Sequence, residues 1–254
     1  SFKRYSLRAN TEFQIKDVLR VGENVQLSYT DAVGVLLRDA FSPVVGYATS
    51  PYIVPYDIAG NYVGHRIGAD HPISTLTRNK NNNGYTTRIF GNIYLEADIL
   101  KNLTARTSLG LDYSVYDKQG FNPKSPESDL KSQVDQLTFE WNKGQNVTWT
   151  NTINYKKDFG NHDLQFLVGT ESVTQKYRNV NGSKNTLVLD DPSFRYLDAA
   201  SQVGGLGGLG SESSLFSIFG KFDYKFRNRY LFSGTLRRDA SSRFAPQNRW
   251  STFP

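Results

Sequence analysis

The sequence predicts an all-β chain: about eight to nine strands of an antiparallel, up-and-down transmembrane β-barrel that is larger than this segment. Three observations carry that reading. Apolar and polar residues alternate along extended stretches, as side chains on a strand must when one face is greasy and the other wet. The stretches are long, about a dozen residues each, whereas soluble strands average about five or six and a tilted membrane strand needs about 9–11. The connections alternate short and long along the chain, as in a barrel with tight turns on one rim and long loops on the other.

The last quarter shows the pattern best. In SLFSIFGKFDYKF (214–226), Phe216, Ile218, Phe222, Tyr224 and Phe226 fall on one side, and Ser217, Lys221, Asp223 and Lys225 on the other. After the link RNR, Tyr230, Phe232 and Leu236 alternate with Ser233, Thr235 and Arg237. A break and RWSTFP then begin a ninth strand.

Earlier elements follow in order. Residues 2–16 form a first extended segment of imperfect alternation, and RVGEN (20–24) breaks it with turn residues. Val25, Leu27 and Tyr29 mark a second strand. A hairpin follows at 88–116: Ile89, Ile93, Leu95, Ala97 and Ile99 share a face, and beyond the turn Lys101-Asn102 so do Leu103, Ala105, Leu109, Leu111, Tyr113 and Val115. A third hairpin at 146–177 places Val147, Trp149, Ile153 and Tyr155 beside Leu164, Phe166 and Val168, across the turn GNHD. Long loops are expected at about residues 33–84, 117–144 and 178–213. Loops of this size and a ninth strand favour an arc of a large barrel over a closed eight-stranded one.

The 254 residues contain no Cys, which excludes disulfides, thiolate metal sites and a Cys nucleophile. The lack of Met and of a signal peptide leads to the expectation of a piece of a longer polypeptide. No apolar run reaches the roughly 20 residues of a membrane helix. The mean hydropathy of -0.52 fits a barrel whose lumen-facing residues are polar. A net charge of +6 from scattered basic residues gives nucleic-acid binding little support.

Chemistry-bearing patterns are sparse. GLGGLG (205–210) matches G-x-G-x-x-G but has no helix pattern after it, so a flexible loop is expected. His65, His71 and His162 have no metal-ligand spacing, and Asp190-Asp191 before Pro192 reads as a turn. No nucleophile, base and oxyanion hole can be assembled, so no enzyme, cofactor or metal is expected. Glu96, Asp98 and Asp112 are expected to line the lumen and pair with Arg106 across the hairpin, with Lys221, Asp223 and Arg237 on the same polar wall. Tyr52, Tyr56 and Tyr62 stand among Pro and Gly in a loop, where they either pack on a neighbouring loop or stack on a ligand.

Several stretches carry a resemblance. RRDASSRFAPQNRWSTFP (237–254), NIYLEADILKNLTARTSLGLD (92–112), NTINYKKDFGNHDLQFLVGTE (151–171), VPYDIAGNYVG (54–64) and FNP (121–123) resemble, in the same order, blocks of SusC/RagA-like TonB-dependent outer-membrane transporters. Ala240 and Ser251 stand where those blocks usually have glycine. The resemblance implies a barrel of about 22 strands with an N-terminal plug that is not in this sequence. It also implies import of glycans or peptides driven by TonB, with TonB contacting a part of the chain not present here. A SusD-like surface lipoprotein would close over long extracellular loops, the short turns would be periplasmic, and the outer face would meet outer-membrane lipid. The residues alone leave two other readings open: a soluble all-β surface domain that binds carbohydrate or mediates adhesion, and a passive porin.

Overall fold

The computed structural model describes residues 2–33, 54–63, 72–124, 134–189 and 191–254. Nine strands, β1 (Phe2–Ile15), β2 (Leu19–Val33), β3 (Asn83–Leu100), β4 (Leu103–Asn122), β5 (Gln136–Phe159), β6 (His162–Leu187), β7 (Ala200–Phe226), β8 (Tyr230–Ser241) and β9 (Trp250–Phe253), form one antiparallel sheet. They pair strictly in chain order, and the sheet is not closed. Among the described residues one short helix, α1 (Pro72–Asn79), precedes β3.

Register converts sequence alternation into two chemically different faces. Leu19, Ala97, Ala105, Ile153, Val168, Gly220 and Leu236 pair in one row across β2 to β8. One residue along, the row reads Arg20, Glu96, Arg106, Thr152, Gly169, Phe219, Arg237. A one-residue slip in any strand would exchange its faces, so the apolar pattern fixes the register.

Among the described residues, nothing packs against the apolar face. Leu109 (46% exposed), Trp149 (54%), Val168 (55%) and Leu236 (59%) lie open. The surface is 17286 Å², whereas a soluble monomer of 28.7 kDa exposes about 11,300 Å². A soluble domain would leave this face uncovered by anything, which disfavours the carbohydrate-binding alternative.

At one rim the turns are tight: residues 16–18, 101–102, 160–161 and 227–229. Each turn is tied to its neighbour across the sheet by a backbone bond: Asp98 N of β3 to Val18 O (2.8 Å), Lys156 N of β5 to Asn102 O (2.9 Å) and Arg227 N to Asn161 O of the adjoining turn (2.7 Å). Gly160 takes the left-handed conformation at no steric cost (φ +61°), whereas Lys16 (56°) and Arg227 (51°) take it with a side chain, at about 1 kcal/mol each.

At the other rim the expected loops are corrected. Residues 117–122 and 136–144, 178–187 and 200–213 are strand. The glycine-rich 203–211 is not a flexible loop but part of β7, paired with Tyr177–Lys184. Glycine and polar residues make poor strands alone, yet a partner that supplies every ladder bond overrides that weak preference. β5, β6 and β7 reach 24, 26 and 27 residues, so at about 3.3 Å per residue they run about 80–90 Å and extend well past a hydrocarbon layer of about 30 Å. Between β2 and β3, only 54–63 and α1 onward are described.

That extension carries the one apolar core cluster among the described residues, Phe121, Leu137 and Ala200, with Leu187 and Leu197 packed against it. Asn82 bonds both backbone groups of Phe121 (Nδ2 to O, 3.0 Å; N to Oδ1, 2.8 Å) and so stands in for a strand neighbour. The Arg195 guanidinium lies 3.9 Å from the Phe121 ring, which pins the 3₁₀ turns at Pro192–Phe194 and Leu197–Ala199 over β4 and β5. Leu137→Ala should cost about 2–4 kcal/mol locally. Hydrogen exchange should show residues 191–199 losing protection while the sheet near the tight turns keeps its own.

Candidate functional site

The candidate site is the polar face. It is built by the strand positions that alternate with the apolar row, so the same period that makes one face greasy makes the other charged. All seven expected wall residues, Glu96, Asp98, Arg106, Asp112, Lys221, Asp223 and Arg237, stand on this face.

Their partners differ in part from expectation. Glu96 does meet Arg106 (3.2 Å), but its closer partner is Arg20 on β2 (2.6 Å). Asp98 also binds Arg20 (3.0 Å) and accepts from Thr104 Oγ1 (2.7 Å). Asp112 does not pair with Arg106; Arg88 grips it with a two-pronged fork of 2.7 and 2.6 Å. Lys221 pairs with Asp223 (2.9 Å) on its own strand, and Ser233 Oγ donates to Asp223 (2.6 Å). Arg237 bridges Asp239 (2.8 Å) and Glu171 (3.1 Å) and donates to the buried Ser217 hydroxyl (2.9 Å). Arg20, Arg88 and Glu171 are polar-face residues that the sequence pattern does not reveal, because an ion pair across strands is set by register; Asp239 pairs with Arg237 two residues away on the same face of β8.

Glycine gives this wall its shape at two places. A Cβ on Gly22 would lie 2.3 Å from the Tyr94 ring, and one on Gly169 would lie 2.5 Å from Phe219. The missing side chain lets Tyr94 cross β2 and donate its hydroxyl to Glu12 on β1, while Arg106 stacks on its ring at 3.9 Å. Above these charges, toward the long-loop rim, the face hollows into a concavity of about 530 Å³ lined by Arg88, Asp112, Asn146, Gln175, Tyr177 and Arg243. Asn146 Oδ1 is enclosed there without a protein donor, an acceptor left for water or ligand.

Of the loop tyrosines, Tyr52 lies outside the described residues. Tyr56 and Tyr62 pack on each other, centroids 5.3 Å apart, and Arg78 of α1 sits 5.1 Å over Tyr62. Tyr56 keeps 46% of its surface exposed. The bend between them is closed by Asp57, which accepts from Asn61 Nδ2 (3.1 Å) and Asn61 N (2.8 Å), with Gly60 at φ +83°. These bonds, the Asn61 side chain first, hold the Asp57 carboxyl below its usual range. Asp191 is lowered likewise by Ser193, whose N–H it caps, which is the turn role expected of it; His65, His71 and Asp190 lie outside the described residues. Among the described residues no group of three or more His, Cys, Asp or Glu side chains could hold a metal ion.

Two expected outcomes follow from this geometry. Because Arg20 and Glu96 are 29% and 20% exposed, a double-mutant cycle on the pair should give a coupling of only about 0.5–1 kcal/mol in denaturant unfolding. For Asp57, a lowered folded pKa means that the ionised form supports the bend at neutral pH and is lost as pH falls through that lowered value. The protection factor of the Asn61 amide, its exchange relative to the intrinsic rate at each pH, should fall on acidification, and Asp57→Asn should remove that change in protection.

Comparison with known proteins adds the family context. No family model matches the chain. It is 24% identical over 263 residues to TonB-dependent receptor P3 of Formosa agariphila, covering 100% of this chain and 26% of the relative. To TonB-dependent receptor SusC of Bacteroides thetaiotaomicron it is 33% identical over 109 residues, 43% of this chain and 10% of the relative. Among solved structures, the RagAB peptide transporter superposes with a TM-score of 0.78 at 20% identity over 99% of this chain and 29% of that one. The siderophore receptor PiuA of Acinetobacter baumannii gives 0.55 at 16% identity, over 99% and 38%. The chain spans about a quarter of the length of the receptors it matches end to end. In sequence and in fold, the chain is SusC/RagA-like, similar to a stretch of barrel from the TonB-dependent transporters.

Proposed function

We propose that this chain is part of the barrel wall of an outer-membrane, TonB-dependent importer. The observation that carries the reading is the contrast between the two faces of one up-and-down sheet: an apolar face with nothing against it and a face of paired charges. Lipid covers the first. The second borders a water-filled lumen and meets a plug supplied by another part of the polypeptide.

In this reading Glu96, Asp98, Arg106, Asp112, Lys221, Asp223 and Arg237, with Arg20, Arg88 and Glu171, dock the plug or line the path. Ion pairs that are one-third exposed are weak individually, so a plug can slide past them when TonB pulls. The concavity around Asn146, Gln175 and Tyr177 offers amide and hydroxyl groups to a glycan or a peptide backbone. Long loops face outside, where the packed pair Tyr56 and Tyr62 gives an aromatic platform beneath a SusD-like lipoprotein, with Tyr52 a further candidate from the same sequence stretch, and the tight turns face the periplasm. SusC and RagAB, named above, support the transporter class over a passive porin, and the named relatives are receptors rather than enzymes.

Face assignment is the decisive test. In the full polypeptide reconstituted in bilayers, spin labels at Leu109 and Phe222 should be accessible to oxygen, and one at Asp112 to a water-soluble relaxant. The reverse pattern would sink the proposal. Uptake of the cognate ligand should also vanish when TonB is deleted; uptake that persists would make the protein a passive pore.

A further inference from the structure

We propose that the tight-turn rim around β7–β8 is a binding site for an anionic glycerophospholipid headgroup, held by Arg227 and Arg229 over an aromatic ledge. The inference rests on the barrel reading above but concerns a site that reading does not use.

The ledge is a run of rings on the apolar face, at the last residues of four strands. Phe159 stacks on His162 (5.1 Å), His162 on Phe226 (4.9 Å) and Phe226 on Tyr230 (6.4 Å). Register keeps them on one face, since Phe159 pairs with His162, His162 with Phe226, and Phe226 with Tyr230. His162 Nδ1 and the Tyr224 hydroxyl share a 2.7 Å hydrogen bond, which leaves the ledge amphipathic: apolar ring faces below, polar atoms at the rim. Rings of this kind settle where hydrocarbon gives way to headgroups.

Immediately past the rings stand cations. The Arg227 guanidinium lies 5.2 Å from the Phe226 ring and that of Arg229 5.6 Å from Tyr230, so both are laid along the ledge. Both are exposed, and among the described residues neither forms an ion pair. The carboxylates nearby do not compete: Asp158 and Asp163 pair with each other in register on the opposite face, and Asp163 engages Lys225 there. Lys157 adds a further charge on the apolar side.

The turn itself gives an independent sign. Arg227 and Asn228 both adopt left-handed φ (51° and 52°), the geometry of a tight hairpin turn, in which glycine or asparagine is the unstrained choice. The neighbouring turn uses Gly160. Holding an arginine at the strained position keeps a guanidinium fixed at the rim. A free phosphate would use the two guanidinium groups but not the ring ledge, which fits acyl-chain roots beside a headgroup.

The test uses the full polypeptide in nanodiscs of phosphatidylethanolamine, alone or with a minor share of phosphatidylglycerol, and reads the relative association constant of spin-labelled phosphatidylglycerol. Arg227→Gly relieves the strained φ, so this variant should fold at least as well as the parent, and Arg229→Gln keeps the stem over Tyr230. Each should weaken phosphatidylglycerol preference about fivefold, with the zwitterionic lipid unaffected. Unchanged preference in the double variant, with thermal unfolding in detergent intact, would overturn the proposal. Displacement of the labelled lipid by millimolar inorganic phosphate would overturn the lipid assignment in favour of a general anion site. A polypeptide that stays dispersed without detergent would overturn the barrel reading itself.

Discussion

Every backbone N–H and C=O in hydrocarbon needs a partner inside the protein, because an unpaired one costs several kcal/mol and no water can reach it. The ladder answers that demand along most of β2 to β6 and for β7 over Leu215–Phe226, whereas β8 meets β9 only over Arg237–Ala240. The free edge of β1 shows what remains: fourteen residues, Phe2–Ile15, paired on one side only. In lipid such an edge has to be met by another strand, and closure into a barrel is the arrangement that leaves no edge anywhere. The short-turn ties, from Val18 to Asp98, Asn102 to Lys156 and Asn161 to Arg227, extend the same bonding to the rim.

Once the backbone is satisfied by pairing, side chains are free to specialise by face. That is why this chain can hold a low mean hydropathy and still present a continuous apolar surface. The polar face does not need a hydrophobic core, and among the described residues Phe121, Leu137 and Ala200 form the one apolar cluster, at the end that projects beyond the apolar band. Strands that run past a hydrocarbon layer would meet water on all sides, where the ordinary device of a soluble protein, a small apolar core, is what holds them. The transition along a single strand is visible in β4, whose exposed Leu109 and Leu111 give way to the buried Phe121.

The alternation of Ile89 to Ile99, or of Phe216 to Phe226, made strand identity and facing legible because period two leaves its mark on any strand with one greasy face. Two things were not legible. The strands' upper halves, such as Tyr177–Lys184 against Gly205–Ser211, carry no greasy stripe, since both faces there meet water; only the partner strand makes them strands. The ion-pair partners were the second. Glu96 lies near Arg106 in sequence, but its closer partner Arg20 is seventy-six residues away and reaches it only through the β2–β3 register. Asp112 is expected to pair with Arg106, but its fork comes from Arg88 on the facing strand, two residues diagonal to it, which only the register reveals.

The two rims differ for one physical reason, and that difference connects the fold to its use. A tight turn fixes its neighbours, since Arg227, Asn228 and Gly160 leave no slack for the strands to slide. The opposite rim is held by discrete side-chain clasps instead: Asn82 on Phe121, Arg195 on the same ring, Asp191 on Ser193, Asp57 on Asn61. Such clasps open one at a time at modest cost, whereas a hairpin turn opens only with its strands. In the proposed reading as part of an importer's wall, both behaviours are used: the rigid rim would hold the apolar band at a constant depth in lipid while the other rim rearranges around ligand and partner. Loops fastened by a few local bonds, Asp57 among them, are the part of this chain suited to that rearrangement.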